Sequence, residues 1–260
     1  MIHKLAFVQP EAKLDKGVIV EPFSTIAGDV EIGEGTWIGP NVTIMDGARI
    51  GKNCQIFPGA VISAIPQDMK FEGEITTAEI GNNTTIRECV TMNRGTVAAG
   101  KTRVGNNCLL MAYVHVAHDC IIGDHCILVN NSGLAGEVVV GDWAILAGAS
   151  LVHQFVHIGK HSIIGGGSRV RIDVPPYITA DREPLAYVGV NSVGLRRRNF
   201  SNEKINEIQD MYRVIYLKKL NNSQALEEVE KEFPKSIERD EILSFFRNSS
   251  RGVIRTSVTK

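Results

Sequence analysis

Stepped through in sixes, the chain returns the same kind of residue from Val8 to Val170. Val8, Leu14, Val20, Ile26, Ile32, Ile38, Ile44, Ile50, Ile56 and Ile62 form a first run. Ile80, Ile86 and Met92 follow, then Val104, Leu110, Val116, Ile122, Leu128, Leu134, Val140, Leu146, Val152, Ile158, Ile164 and Val170; only Asp68, Glu74 and Ala98 interrupt the series. Four residues after each aliphatic the chain is usually small, as at Ser24, Thr36, Ala48, Cys54, Cys108, Cys120, Cys126, Ser132 and Ser150. The residue directly after the aliphatic is often glycine, as at Gly33, Gly51, Gly81, Gly105, Gly123, Gly141 and Gly159.

A period of six matches neither an α-helix nor a simple amphipathic strand. It matches a coil of short strands joined by tight corners, the hexapeptide form of a parallel β-helix. The small residue and the next aliphatic lie two apart and point inward from one strand. The three residues after the aliphatic turn the corner, where glycine is expected for its tolerance of unusual backbone angles. Three hexads make one triangular coil, and coils stack at about 4.8 Å. Periodicity alone does not give the hand of the winding.

Two segments break the rhythm. Ser63 to Glu79 (SAIPQDMKFEGEITTAE) and Arg94 to Arg103 have no room inside such a coil and must loop outward, where excursions from a rigid scaffold often carry function. RIDVPPYITADREP closes the solenoid, with Pro175 and Pro176 expected to end regular pairing. Beyond it the pattern turns helical. Ser201 is an expected N-cap with Ile205, Ile208, Tyr212 and Ile215 on one face; Ser223 is expected to cap a second helix, and a third runs from Ser236 to Phe246. The expected organisation is a mainly β solenoid domain, residues 1–186, and a small C-terminal α-helical domain, residues 187–260.

With Lys+Arg 28 against Asp+Glu 29, the net charge of −1 gives no overall pull toward nucleic acid or membrane. No apolar run is long enough to span a bilayer, and MIHKLAF lacks an apolar targeting core, so a cytoplasmic protein without an integral membrane segment is expected. Cys54, Cys108, Cys120 and Cys126 fall in the small inward slot and read as buried small hydrophobes rather than disulfides or metal ligands.

Histidines cluster at positions 115, 118, 125, 153, 157 and 161. His118 falls at a corner, with Asp119 beside it to orient its ring. One coil further along the same corner is Gly136, whose small size leaves an exposed backbone N–H, and the next coil brings His153 and Gln154. A base, an orienter and an amide donor at one corner make a site candidate. Zinc is weighed and set aside: His115 is mid-strand and His118 at a corner, so their side chains need not converge, and no metal is expected. Glu137 stands one coil from Asp119, close enough for the two carboxylates to push one pKa up.

The segments HVAHDC (115–120), LVHQF (151–155), DVPPY (173–177), QDMKFEGE (67–74), RGT (94–96) and GLRRR (194–198) carry a narrower message. In this order, with the helical tail, the chain resembles the acyl-carrier-protein-dependent UDP-N-acetylglucosamine O-acyltransferases that open lipid A biosynthesis. The resemblance implies a left-handed β-helix, a homotrimer with active sites between neighbouring subunits, and transfer of a 3-hydroxyacyl group from acyl carrier protein to the glucosamine 3-OH, without cofactor or covalent intermediate. It implies His118 as general base, a role suited to a group titrating near about pH 6.5. Asp119 would support it and the Gly136 amide would be the oxyanion donor. Gln67, Asp68, Lys70, His115, His153 and Gln154 would contact the sugar. Asn191, Arg197 and Arg198 would hold the UDP, and Gly166 would set the acyl-chain length. The basic run Arg196 to Arg198, with Arg169 and Arg171, would also face the acidic carrier protein. Two departures stand out: Glu137 replaces a histidine of well-studied relatives, and Val193 replaces an acidic residue of their uridine site. Hexapeptide repeats by themselves also fit a sugar N-acyltransferase or a coenzyme A-dependent acetyltransferase. A purely structural solenoid would show surface Thr ladders, which these outward faces lack.

Overall fold

Each hexad supplies one short strand, and the three hexads of a coil lie in three different sheets. A computed structural model describes residues 1–218 and 220–256. Among them, sheets of nine, eight and ten strands run along the molecule. The first face starts at Phe7–Val8 and includes Val61–Ala64, Thr91–Asn93, His115–Val116, Gly133–Leu134 and Arg169–Val170. The second starts at Lys13–Leu14 and includes Ile121–Ile122, Val139–Val140 and His157–Ile158. The third starts at Ile19–Val20 and ends with Ile178–Asp181 and Ala186–Val190. Neighbouring strands, except the last pair of the third face, are parallel and pair like with like, Val116 beside Leu134 and Leu128 beside Leu146. The winding is a left-handed parallel β-helix. Its corners form three edges: a first between the first and second faces, a second between the second and third, and a third between the third and first.

The repeat aliphatics fill the interior; Ile38, Ile56, Leu110, Leu128 and Leu146 are wholly buried. The small slots do more than leave room. Ser24 Oγ donates to the Gly39 carbonyl at 2.6 Å and Thr84 Oγ1 to that of Gly105 at 2.8 Å, each one coil on. The cysteines copy them: Cys120 Sγ donates to the Ala135 carbonyl at 3.1 Å and Cys126 Sγ to that of Gly141 at 3.2 Å. Burial pushes the Cys120 thiol up to about 12, so it keeps the proton it donates.

The corner glycines have a different cause from the one expected. Those directly after the aliphatic do not adopt positive φ. They are glycine because coils are stacked too closely for a Cβ: at Gly81 it would lie 2.6 Å from the Gly105 carbonyl carbon, and at Gly141 2.6 Å from the Lys160 nitrogen. Positive φ belongs two residues later and is mostly carried by side chains, among them Asp119 (61°), His125 (58°), Glu137 (60°) and Trp143 (63°).

The two breaks are loops over residues 65–76 and 94–100, after which the second face resumes at Thr77–Ile80 and Lys101–Val104. Pro175 and Pro176 do not end the pairing as expected. They sit in a corner, where no ladder N–H is required, and Ile178–Asp181 continues the third face with Thr179 beside Ile163. Ala186–Val190 then pairs antiparallel with it. The expected boundary at 186/187 falls inside this strand.

Four helices follow among the described residues: α1 (Ser192–Arg197), α2 (Asn202–Leu217), α3 (Asn222–Glu232) and α4 (Ile237–Asn248). Ser201 caps α2, and Ile205, Ile208, Tyr212 and Ile215 are its buried face. The cap of α3 is Asn221 rather than Ser223, because Asn221 and Gln224 exchange side-chain and backbone hydrogen bonds in a capping box. Ser236 caps α4. The chain then returns to the solenoid: Ser249 Oγ donates to Asp173 Oδ2 at 2.6 Å, and Val253 bridges to Asp173.

Candidate active site

Both loops and the corner of His118 lie on the first edge, because each follows a strand of the first face and precedes one of the second. His118 Nδ1 and Asp119 Oδ2 are 2.8 Å apart, and the Asp119 side chain is fully buried. Asp119 takes three further bonds from the loop 94–100: Thr96 N–H and Ala99 N–H donate to Oδ1 at 2.9 and 3.2 Å, and Thr96 Oγ1 donates to Oδ2 at 2.7 Å. Burial alone would raise this carboxyl. The Thr96 hydroxyl, the His118 ring and the Thr96 amide outweigh it and hold Asp119 below the usual carboxylate range. Glu137 does not push it the other way; its carboxylate instead accepts from Gln154 Nε2 at 3.4 Å.

Gly136 packs directly on the imidazole. A Cβ there would lie 2.6 Å from His118 Cε1 and 2.7 Å from Nε2, so the ring itself demands glycine. Among the described residues its amide donates no hydrogen bond within the chain, as at many second corner positions. Gly136, with that free N–H, packs against the ring edge that carries Nε2, a nitrogen with no hydrogen bond among the described residues. His115 lies one strand away, half-buried, with Nδ1 at 2.8 Å from Thr91 Oγ1, and burial lowers its pKa. The two histidines raised as metal ligands are thus each engaged through Nδ1, and no group of three His, Cys, Asp or Glu positioned to hold a metal occurs among the described residues. His153 is exposed, with Arg251 Nη2 at 3.3 Å from its Nδ1.

Gln67 and Lys70 are exposed and Asp68 half-buried in the loop 65–76, where Asp68 Oδ1 accepts from Lys70 N–H at 3.0 Å. Asn93 Nδ2 donates to the Ile65 carbonyl at 2.8 Å and Thr76 Oγ1 to that of Gly95 at 2.6 Å, so this loop and 94–100 share a base.

The other expected binding residues are on another edge. His125, Trp143, His161 and Tyr177 occupy successive corners of the second edge and stack, His125 on Trp143 at 3.9 Å between ring centres. Arg198 lies over Trp143 at 5.1 Å, donates to its carbonyl at 3.1 Å, and approaches His161 Nδ1 at 3.3 Å. Burial first, then the Arg198 charge, takes His161 down to about 4. Arg197 is exposed. Asn191 is buried and both ends of its amide are engaged: Oδ1 caps α1 through Gly194 N–H at 3.0 Å, and Nδ2 donates to the His161 carbonyl at 2.8 Å. Gly166 is on the third edge. Its φ is not positive, and a Cβ there would touch only the Gly148 carbonyl oxygen at 3.4 Å, so neither backbone nor packing requires glycine. Within one chain, therefore, the base, the arginines and Gly166 stand on three different edges.

The family described as bacterial transferase hexapeptide (six repeats) matches residues 29–64 and 101–136, and the one described as Udp N-acetylglucosamine O-acyltransferase; Domain 2 matches residues 173–254. The acyl-[acyl-carrier-protein]--UDP-N-acetylglucosamine O-acyltransferase of Thermodesulfovibrio yellowstonii is 44% identical over 98% of this chain and 99% of its own. That of Chlorobaculum tepidum is 54% identical over 94% and 93%. The crystal structure of the UDP-N-acetylglucosamine acyltransferase from Bacteroides fragilis 9343 superposes with a TM-score of 0.97 at 54% identity, covering 98% of this chain and 100% of that one. The chain belongs to the acyl-[acyl-carrier-protein]--UDP-N-acetylglucosamine O-acyltransferase family.

For a member of this acyltransferase family, the residues that the repeat pattern did not single out are Thr96, Thr102, Asn93 and Trp143. Thr102 Oγ1 accepts from Asp119 N–H at 2.8 Å, so threonines hold Asp119 from both sides. The signals for Thr96 were the RGT segment (94–96) and the interrupted repeat slot at Ala98, which marked a loop without saying what it touches.

Proposed function

We propose that this chain transfers a 3-hydroxyacyl group from acyl carrier protein to the glucosamine 3-OH of UDP-N-acetylglucosamine, with His118 as general base. The observation that carries the reading is the His118–Asp119–Gly136 geometry: an imidazole tied through Nδ1 to a buried carboxylate, its Nε2 edge packed on Gly136, whose backbone N–H has no partner among the described residues. The proton of the 3-OH passes to Nε2 as its oxygen attacks the thioester carbonyl. The tetrahedral oxyanion is met by the Gly136 N–H, a contact worth roughly 3 kcal/mol in comparable sites. Collapse breaks the C–S bond, and the imidazolium returns the proton to the departing thiolate. Asp119 keeps the ring oriented and offsets the charge that appears on it. No bond to the protein and no cofactor enters this sequence.

The separation of edges gives the reading its quaternary form. Asp68, Lys70 and Gln67 stand near the base, but Arg197 and Arg198 are across the second face, so a nucleotide held by both groups lies between copies. A closed homotrimer satisfies this at every interface. Leu109, Ile127, Ile145 and Ile163 support it: they stand in one outward row on the third face, half-exposed and aliphatic. Met69 and Ile75, on the loop beside the base, are fully exposed in the single chain. The acyl tail then runs toward Gly166 in a groove between solenoids, and Arg169, Arg171 and Arg196 face the acidic carrier. Glu137 and Val193 alter local substrate contacts and leave the base in place, the Glu137 backbone N–H donating to the His118 carbonyl at 3.0 Å.

Mass spectrometry of the product formed from UDP-N-acetylglucosamine and a set of 3-hydroxyacyl carrier proteins tests the reading, with acyl-coenzyme A as the competing donor. An O-linked 3-hydroxyacyl product from the carrier protein alone is expected. An N-acylated product, or equal use of coenzyme A, would replace it with a different hexapeptide transferase reaction.

A further inference from the structure

The loop 94–100 leaves the coil on the first edge and folds back over Asp119. A carboxylate offers about four acceptor directions, and at Asp119 all four are taken. Oδ1 receives Thr96 N–H (2.9 Å) and Ala99 N–H (3.2 Å); Oδ2 receives Thr96 Oγ1–H (2.7 Å) and the His118 ring (2.8 Å). The Thr96 hydroxyl has no freedom to turn away, because it also accepts from Ala98 N–H at 3.2 Å. Thr96 is itself buried, its carbonyl accepts from Gly100 N–H at 2.7 Å, and Thr102 fixes the Asp119 backbone. A donor-only environment of this kind leaves Asp119 one use for its remaining lone pair, which is to accept N–H from the imidazole.

We propose that Thr96 is a positioning residue that, by saturating Asp119, keeps the His118 proton on Nδ1 and the lone pair on Nε2. The assignment rests on reading His118 as the base. Without the Thr96 hydroxyl, Oδ2 has a vacant acceptor direction inside a buried site, and the ring is free to swing or to exchange tautomers. In the Nε2–H tautomer the nitrogen next to Gly136 carries a proton and cannot accept one. The loop is therefore part of the dyad through its bonds to Asp119. Its base is shared with the loop 65–76 through Asn93 and Thr76.

The test is ¹⁵N NMR of the full chain labelled at histidine, above the titration range of the ring, together with steady-state kinetics. Wild type is expected to show His118 as a single Nδ1–H tautomer. Thr96→Val is expected to show both tautomers and to lose roughly tenfold or more in kcat, with KM for UDP-N-acetylglucosamine within about twofold. Thr96→Ser, which keeps the hydroxyl, restores both the tautomer and the rate. A wild-type Nε2–H tautomer overturns the assignment without any variant, so it stays testable if Thr96→Val does not fold; Thr96→Ser with mixed tautomers overturns it as well. The two failures separate cleanly: wild-type turnover in His118→Ala removes the base reading, whereas a single Nδ1–H tautomer in Thr96→Val removes the positioning role.

Discussion

The first and second edges are built on the same corner, yet their side chains do opposite things. On the second, His125, Trp143, His161 and Tyr177 stand at positive φ in successive coils and stack on one another. On the first, Asp119, Glu137 and Phe155 hold the equivalent positions, at φ of 61°, 60° and 67°. Asp119 has no aromatic ladder around it; the loop 94–100 reaches it with two amides and a hydroxyl. A histidine on the second edge packs between rings. His118, one residue before the positive-φ position on the first edge, is tethered at one nitrogen and open at the other. Residue type does not separate the two uses. What separates them is whether the repeat is whole, as beside His125, or interrupted, as before His118.

The sharpest way to break this contrast is to remove one histidine from each edge. His118→Ala is expected to lose at least about 10²-fold in kcat while the fold is kept. His125→Ala should lose a stacking contact worth about 0.5–1.5 kcal/mol in thermal stability and little turnover. Equal kinetic losses would mean that the interrupted edge has no special role. Gly136→Ala extends the test: its Cβ would meet the ring at 2.6 Å, so activity should fall with His118 still present.

The third edge gives an effect of similar or smaller size, read as selectivity. Since nothing local requires glycine at 166, its absent side chain leaves space, and long 3-hydroxyacyl donors are expected to be preferred over ten-carbon ones. At about 0.8 kcal/mol for each buried CH₂, four more carbons favour the longer chain by up to roughly 3 kcal/mol. Gly166→Met should reverse the preference in competition assays. Unchanged selectivity would put the end of the groove elsewhere.

A further effect is expected in stability against pH. His161 is lowered from 6.5 to about 4, so the unfolded chain binds its proton first. The stability it contributes is present above 6.5 and is lost as pH falls toward about 4. Asp119, also lowered, adds a further loss below the ordinary carboxylate range. Thermal melts should decline over the higher window in wild type and decline less in His161→Phe, which keeps a ring in the stack. An identical slope in both would assign the acid sensitivity to other groups.

Much of this was legible in the chain. A period of six needs only aliphatics at fixed spacing, and it placed His118, Asp119 and Gly136 on one corner. Pro175 and Pro176 misled because a proline's effect depends on whether its position would donate to a ladder, and a corner position would not. Ser223 misled because Asn221, two residues earlier, caps α3 with Gln224 as its reciprocal partner. Thr96 was hidden for a stronger reason: its contact with Asp119 depends on how an irregular loop folds back, which no periodicity encodes. Arg197 and Arg198 matched a motif, but only the three-sheet topology shows them on a different edge from the base.

That separation is the centre of the account, and mixing two variants tests it most directly. His118→Ala and Arg197→Ala chains are each expected to be nearly inactive alone; Arg197 is exposed, so its loss leaves the packing intact. Refolded together, they should recover activity at about one quarter of sites, where an intact His118 from one copy faces an intact Arg197 from its neighbour. No recovery from the mixture, with mixed trimers verified by native mass spectrometry, would contradict a site shared between copies.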